Sequence, residues 1–195
     1  MKAYQVVENG KPLEERELEM LNILENKFSK RKDLSKKESE LLLEAQKMVK
    51  TAYAPYSKFY VGAAILLDNK EVVTGSNQEN ASYPSGLCAE RVAIYSCGAH
   101  YPKDKILAIA ISANSSKFDI KDLLAPCGAC RQSMMEFEFK QNAPIKVLLK
   151  GVGNQVVEFN SIKDLLPIPF NSEALQIVSE NHNWYYIFWE SPNFT

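Results

Sequence analysis

A three-layer α/β/α domain with a mixed, about five-stranded sheet is the fold class that the sequence predicts. Three observations predict it. A helix with one apolar stripe precedes a strand hairpin. Helical and strand-like segments then alternate toward the C-terminus. The run "KILAIAISA" is continuously apolar, as expected of a buried strand. With 195 residues, 46% of them hydrophobic, the chain can bury one core of ordinary size and still carry extensions.

In chain order, residues 12–32 put Leu18, Leu21, Leu24 and Phe28 at helical spacing before a basic break. A second helix begins at Ser35. There "SKKE" has the form of a capping box, and Leu41, Leu42, Ala45, Met48, Val49 and Ala52 make an apolar stripe. "APYS" ends this helix, because Pro55 disfavours helical geometry in the residue before it. "KFYVGAAILL" and "EVVTG" read as a hairpin about the turn-like Asp68-Asn69-Lys70, with Gly75 opening the polar loop "SNQENASYPSG". "AERVAIYSCGAH" predicts a helix, "KILAIAISA" a strand, "CRQSMMEFEF" a helix, and "IKVLLK" and "QVVEFN" the last two strands. "SIKDLL" reads as a short terminal helix stopped by Pro167. Residues 1–44 form a helical extension and residues 171–195 a tail containing the aromatic "NWYYIFWE", both expected to pack on the domain or on a sister subunit.

Lys and Arg total 23 against 24 Asp and Glu, so no global positive charge attracts a phosphate backbone, and nucleic acid is a disfavoured partner. The first residues lack the pattern of a secretory signal, and no apolar run approaches a membrane span. A cytoplasmic protein is the expectation. In that compartment thiols stay reduced, so Cys88, Cys97, Cys127 and Cys130 are expected to be metal ligands or buried thiols rather than two disulfides.

Cys127 and Cys130 stand three apart in "PCGACRQ", where Pro126 suits a helix start, so the first turn of that helix aims both sulfurs in similar directions. Alone, such a pair reads equally as a redox couple. Cys88 in "GLCAERVA" tips the balance, because three thiolates make a zinc set and leave open the fourth position in which catalytic zinc holds water. Cys97 lies nine residues beyond Cys88, roughly on the opposite side of one helix, and is expected to be a small buried hydrophobe. His100 and His182 have no ligand-like neighbours. Three thiolates leave the zinc unit with a net negative charge, which helix N-termini and Arg91, or Arg131, can offset. Glu90, two residues after the first cysteine, is placed to carry protons between water and substrate.

These residues resemble, in order and spacing, the cytidine deaminases that act on free nucleosides. The resemblance rests on "YAPYSKFYVGAA", "GSNQENASYPSGLCAERVA", "APCGACRQ" and "DLLP" and covers roughly residues 45–170, the expected catalytic domain. It implies a cytidine deaminase-like fold, one Zn²⁺ per subunit on Cys88, Cys127 and Cys130, and Glu90 as the proton shuttle. Water would add at C4 of cytosine, Glu90 would protonate N3, and ammonia would leave as uridine forms. It further implies that Phe59 lines the nucleoside pocket, Asn77 and Glu79 hydrogen-bond the ribose hydroxyls, Ala89 offers its backbone N–H to the base, and Arg91 compensates the thiolates. The family is generally tetrameric, a dimer being the alternative here, and Phe170 in "LLPIPF" resembles the aromatic residue that reaches a neighbouring site. Gln78 departs from the family, which commonly has an aliphatic residue there.

The expected activity is hydrolytic deamination of cytidine and 2′-deoxycytidine in pyrimidine salvage. Enzymes that deaminate the modified nucleoside blasticidin S share the "CAE" and "PCxxC" arrangement, but the intact "NQEN" loop suits an unmodified ribose. A non-catalytic zinc module is the rival from another class. It needs a fourth protein ligand and has no use for Glu90.

Overall fold

The computed structural model describes residues 28–31, 34–120, 123–151 and 156–171. Six strands form one sheet: β1 (Phe28–Arg31), β2 (Phe59–Leu67), β3 (Val72–Ser76), β4 (Ile106–Ser115), β5 (Lys146–Lys150) and β6 (Val156–Phe159), in the spatial order β1-β6-β5-β4-β2-β3. Only β4 and β5 run parallel; every other pairing is antiparallel. Helix α1 (Lys36–Met48) covers one face, and α2 (Ala89–His100) and α3 (Gly128–Gln141) cover the other. The three expected layers are present, and the five expected strands gain a sixth at the edge.

The central strands show why their sequences are apolar throughout. Ala63, Ile65, Ile109, Ile111, Val147 and Leu149 point into the core beneath α2 and α3, while Ala64, Ala108, Ala110 and Leu148 meet Leu41, Leu42 and Ala45 of α1. Alanines on the α1 side let that helix lie close. Gly62 completes the fit, since a Cβ there would stand 2.1 Å from the Ala45 carbonyl.

Helix α1 starts where its capping box places it. Ser35 Oγ accepts from the Glu38 N–H at 3.3 Å and a Glu38 carboxylate oxygen accepts from the Ser35 N–H at 2.9 Å. The other Glu38 oxygen accepts from Lys146 of β5 at 2.9 Å, tying the helix start to the sheet. On the opposite face, the buried Glu138 of α3 accepts from the backbone N–H groups of Ile145 and Ile162 at 2.8 and 2.9 Å and from the Ser161 hydroxyl at 2.6 Å. One carboxylate thereby fixes the start of β5 and the turn after β6 to the same helix.

Three elements differ from expectation. Phe28–Arg31, expected to end a helix, is a strand paired with β6 from Phe28↔Phe159 to Arg31↔Val156. The open edge of β6 offers backbone hydrogen bonds that outweigh local spacing; the rest of that expected helix, like the aromatic tail from residue 172, lies outside the described residues. Helix α1 stops at Met48 and gives way to a 3₁₀ turn (Val49–Thr51), with Ala52 already extended before Pro55 acts. "SIKDLL" yields only a 3₁₀ turn (Ile162–Asp164). No described helix is long and apolar enough to cross a membrane.

Burial alone would raise the Glu38 carboxyl, but the hydrogen bonds from Lys146 and Ser35 prevail and lower it from 4.5 to about 2. Its contribution to stability is therefore complete above about pH 4.5 and fades as the pH falls toward 2. Glu38→Gln keeps the capping geometry and removes the charge. It is expected to lower the melting temperature by about 2–4 °C at pH 7 and by less at pH 3; equal losses at both values in thermal melts would contradict this.

Candidate active site

Two helix N-termini converge at the site. Cys88 is the N-cap of α2 and Cys127 the N-cap of α3; neither side chain caps its own helix, so both sulfurs are free to face outward from the positive ends of the two dipoles. Cys130 follows in the first turn of α3 and is fully buried. The three sulfurs lie within 4.8 Å of one another, with 3.9 Å between Cys88 and Cys127 and 3.4 Å between Cys127 and Cys130. Sulfurs at zinc-bond length in tetrahedral arrangement stand about 3.8 Å apart, so this donor set fits the ion. No other such cluster occurs among the described residues.

The electrostatics follow from crowding. Cys88 is lowered to about 5 by its hydrogen bond with Cys130, then, against burial, by Arg91, whose Nη2 stands 3.7 Å from the sulfur. The same pairing with Cys88, together with burial, pushes Cys130 far up. Glu90 is buried and raised, first by desolvation and further by the charge at Cys88. Cys97 lies in the core, apart from the cluster, and is pushed up to about 12 by burial, as its helical position implies. His100 bonds its own helix at the Ser96 carbonyl, and His182 lies outside the described residues.

A cavity of about 420 Å³ opens beside the sulfurs, at the C-terminal end of the parallel pair β4 and β5. Phe59, Asn77, Glu79, Cys88, Glu90 and Cys127 all line it. Ala89 is buried between Cys88 and Glu90, and its N–H is the first of α2, a donor with no acceptor within its own helix. Arg91 faces an adjoining pocket that shares Asn77, Glu79 and Cys88 with the first. Phe170 does not reach the cavity. The residue is 58% exposed, while its backbone is held by Gln132, which donates to the Phe170 carbonyl at 2.7 Å and accepts from its N–H at 3.3 Å.

Asn77 and Glu79 carry a load that their motif does not announce. Asn77 Oδ1 accepts from the Val61 N–H at 2.7 Å and its Nδ2 donates to the Phe59 carbonyl at 2.9 Å. Glu79 accepts from the Tyr56 and Ser57 N–H groups at 2.9 and 3.3 Å and from the Ser57 hydroxyl. These bonds lower its carboxyl in spite of desolvation. Both side chains thus lock the backbone around Phe59, and both keep capacity for further partners, an Nδ2 hydrogen and an Oδ1 lone pair on Asn77 and a lone pair on Glu79.

Sequence reasoning missed Phe118, which stacks on Phe59 with ring centres 6.2 Å apart and planes 14° apart, and Lys150, which lines the cavity from the end of β5. Neither belongs to a motif. Ser57, by contrast, stood inside "YSKF". Gln78 donates to Ser76 Oγ at 3.1 Å, a local bond in place of aliphatic packing. Arg131, considered as a partner for sulfur, instead bonds two backbone carbonyls.

Three thiols at two helix N-termini beside a buried carboxylate, under a mixed α/β/α sheet, make up the donor set and acid–base group that the zinc-dependent hydrolytic deaminase class uses. Residues 35–143 match the family model "Cytidine and deoxycytidylate deaminase zinc-binding region". The chain is 40% identical over 135 residues to a cytidine deaminase of Halalkalibacterium halodurans, covering 69% of this chain and 95% of that one. It is 35% identical over 141 residues to that of Sporosarcina psychrophila, covering 72% and 96%. The crystal structure of a cytidine deaminase from Burkholderia pseudomallei superimposes with a TM-score of 0.58 at 36% identity, over 70% of this chain and all of that one. The chain belongs to the cytidine deaminase family.

A further contact sets where α2 begins. Gly75, which lies within β3 rather than opening the loop after it, faces the first turn of α2, where a Cβ would stand 2.6 Å from the Ala89 carbonyl and 2.7 Å from the Ala93 nitrogen. Gly75→Ala is expected to cost about 1–3 kcal/mol and, by shifting that turn, to reduce metal retention. Denaturant titration together with metal analysis checks it; wild-type values in both would show that the turn yields without consequence.

Proposed function

We propose that this protein catalyses hydrolytic deamination of cytidine and 2′-deoxycytidine to uridine and 2′-deoxyuridine plus ammonia, with one Zn²⁺ per subunit held by Cys88, Cys127 and Cys130. The observation that carries this reading is the cavity itself, which gathers two of the sulfurs, the buried Glu90 and the Asn77–Glu79 pair on one surface. When bound, the ion supplies Lewis acidity that makes water nucleophilic near neutral pH.

The chain's own residues do the rest. Glu90, buried and beside the sulfurs, takes a proton from the attacking water and gives it to N3, then takes the second proton from the hydroxyl now on C4 and gives it to the departing amine. Its raised proton affinity suits a group that must both accept and donate. The Ala89 N–H serves the base, and Phe59, backed by Phe118, forms an aromatic wall. Asn77 and Glu79 use their remaining hydrogen-bonding capacity on the ribose, so the same side chains that fix the pocket wall read the sugar. Arg91 offsets thiolate charge at Cys88.

We place the enzyme in the cytoplasm, in pyrimidine salvage, as a homo-oligomer, with a tetramer favoured over a dimer. The exposure of Phe170 on an anchored backbone supports a role in a neighbouring subunit's site. In this reading residues 1–44 and 171–195 are appendages of the catalytic domain, except that β1, a strand of the sheet, and α1, which crosses residue 44 and covers the sheet, belong with the domain.

Glu90→Ala is expected to retain zinc and lose turnover by roughly 10²–10⁴-fold or more, whereas Cys88→Ala is expected to lose zinc. Ammonia release and metal content, measured on the same samples, separate the two. A Glu90→Ala enzyme turning over at the wild-type rate would remove the carboxylate from the mechanism.

A further inference from the structure

The three sulfurs are not held by the same means. Cys130 is locked in the core, and Cys88 sits on a helix turn seated against Gly75. Cys127 is exposed, its side chain caps nothing, and it follows the long connection from β4. Packing does not fix it. The residue before it, Pro126, is buried and has no N–H, so its carbonyl is the one backbone group it has for a hydrogen bond.

That carbonyl accepts a hydrogen bond from Arg131 Nε at 2.7 Å. The same guanidinium donates through Nη1 to the Leu165 carbonyl at 3.1 Å, in the segment that follows β6. Leu165 is itself buried, and its segment is pinned to α3 through Ser161 and Ile162 on Glu138 and through Phe170 on Gln132. Arg131 therefore links the residue before Cys127 to a segment held on α3.

We propose that Arg131 is a positioning residue for the metal site, holding the Cys127 sulfur in place by bracing the Pro126 carbonyl against the Leu165 segment. The proposal rests on the reading of Cys88, Cys127 and Cys130 as the zinc ligands. It assigns the two nearby arginines different work. Arg91 faces a sulfur and acts on charge; Arg131 faces carbonyls and acts on geometry. A planar guanidinium reaches two carbonyls with separate N–H groups in fixed directions, which a lysine ammonium does not reproduce.

The test uses the full-length zinc-loaded protein and its Arg131→Ala, Arg131→Lys and Gln132→Ala variants, each challenged with excess chromogenic chelator while zinc release is followed. Cobalt-substituted samples are read for their thiolate and ligand-field absorption bands. Arg131→Ala is expected to release zinc roughly 10-fold faster or more and to alter the cobalt bands. Arg131→Lys should resemble it, and Gln132→Ala, which loosens the same segment without touching Pro126, should keep the wild-type rate. Should Arg131→Ala not fold, Arg131→Lys carries the measurement. Wild-type release and cobalt spectra in both Arg131 variants, even with lowered melting temperatures, would overturn the proposal, as would equal acceleration in Gln132→Ala. A wild-type protein that holds no zinc and shows no cobalt–thiolate bands would overturn the ligand assignment instead.

Discussion

Three sulfur atoms within 4.8 Å of one another cannot all carry charge unless a cation lies among them. The proton affinities show the strain of that crowding: Cys88 is drawn down to about 5 while Cys130 is driven the other way. Two helix N-termini and the Arg91 guanidinium supply positive charge at the same point. Other features of the domain can be understood as means of bringing these groups together beside Glu90 and keeping them there.

The sheet achieves this by close approach. Gly62 and Gly75, on adjacent strands and opposite faces, admit the backbones of α1 and α2 to distances that any side chain would forbid. Helix α3 is held by longer reach. Glu138 at its far end gathers three donors from the start of β5 and the turn after β6, while Arg131 and Gln132 grip the segment beyond that turn. The cavity then forms where the parallel pair β4 and β5 ends, the usual place for a ligand in an α/β sheet.

Much of this was legible in the residues because it is local. Ser35 and Glu38 announce their helix, Cys88 and Cys127 fall where two helices begin, and the nine-residue offset of Cys97 from Cys88 removes it from the cluster. What escaped depends on distant partners. Strand β1 forms because β6 has an open edge, and nothing in "FSKR" says so. Phe118 finds Phe59 across the sheet end, and Arg131 finds Leu165 more than thirty residues away. The family motif implies that Asn77 and Glu79 bind sugar; that each also holds backbone at Phe59 or Ser57 emerges only when the loop and the strand are side by side.

The central claim is that one ion on three thiols, next to Glu90, performs the chemistry. Stripping the purified protein of metal and titrating zinc back while measuring cytidine deamination tests it most directly. Activity should rise in proportion to bound zinc and level off at one equivalent per chain. Full activity in the stripped protein, or none in the reloaded one, would contradict the account.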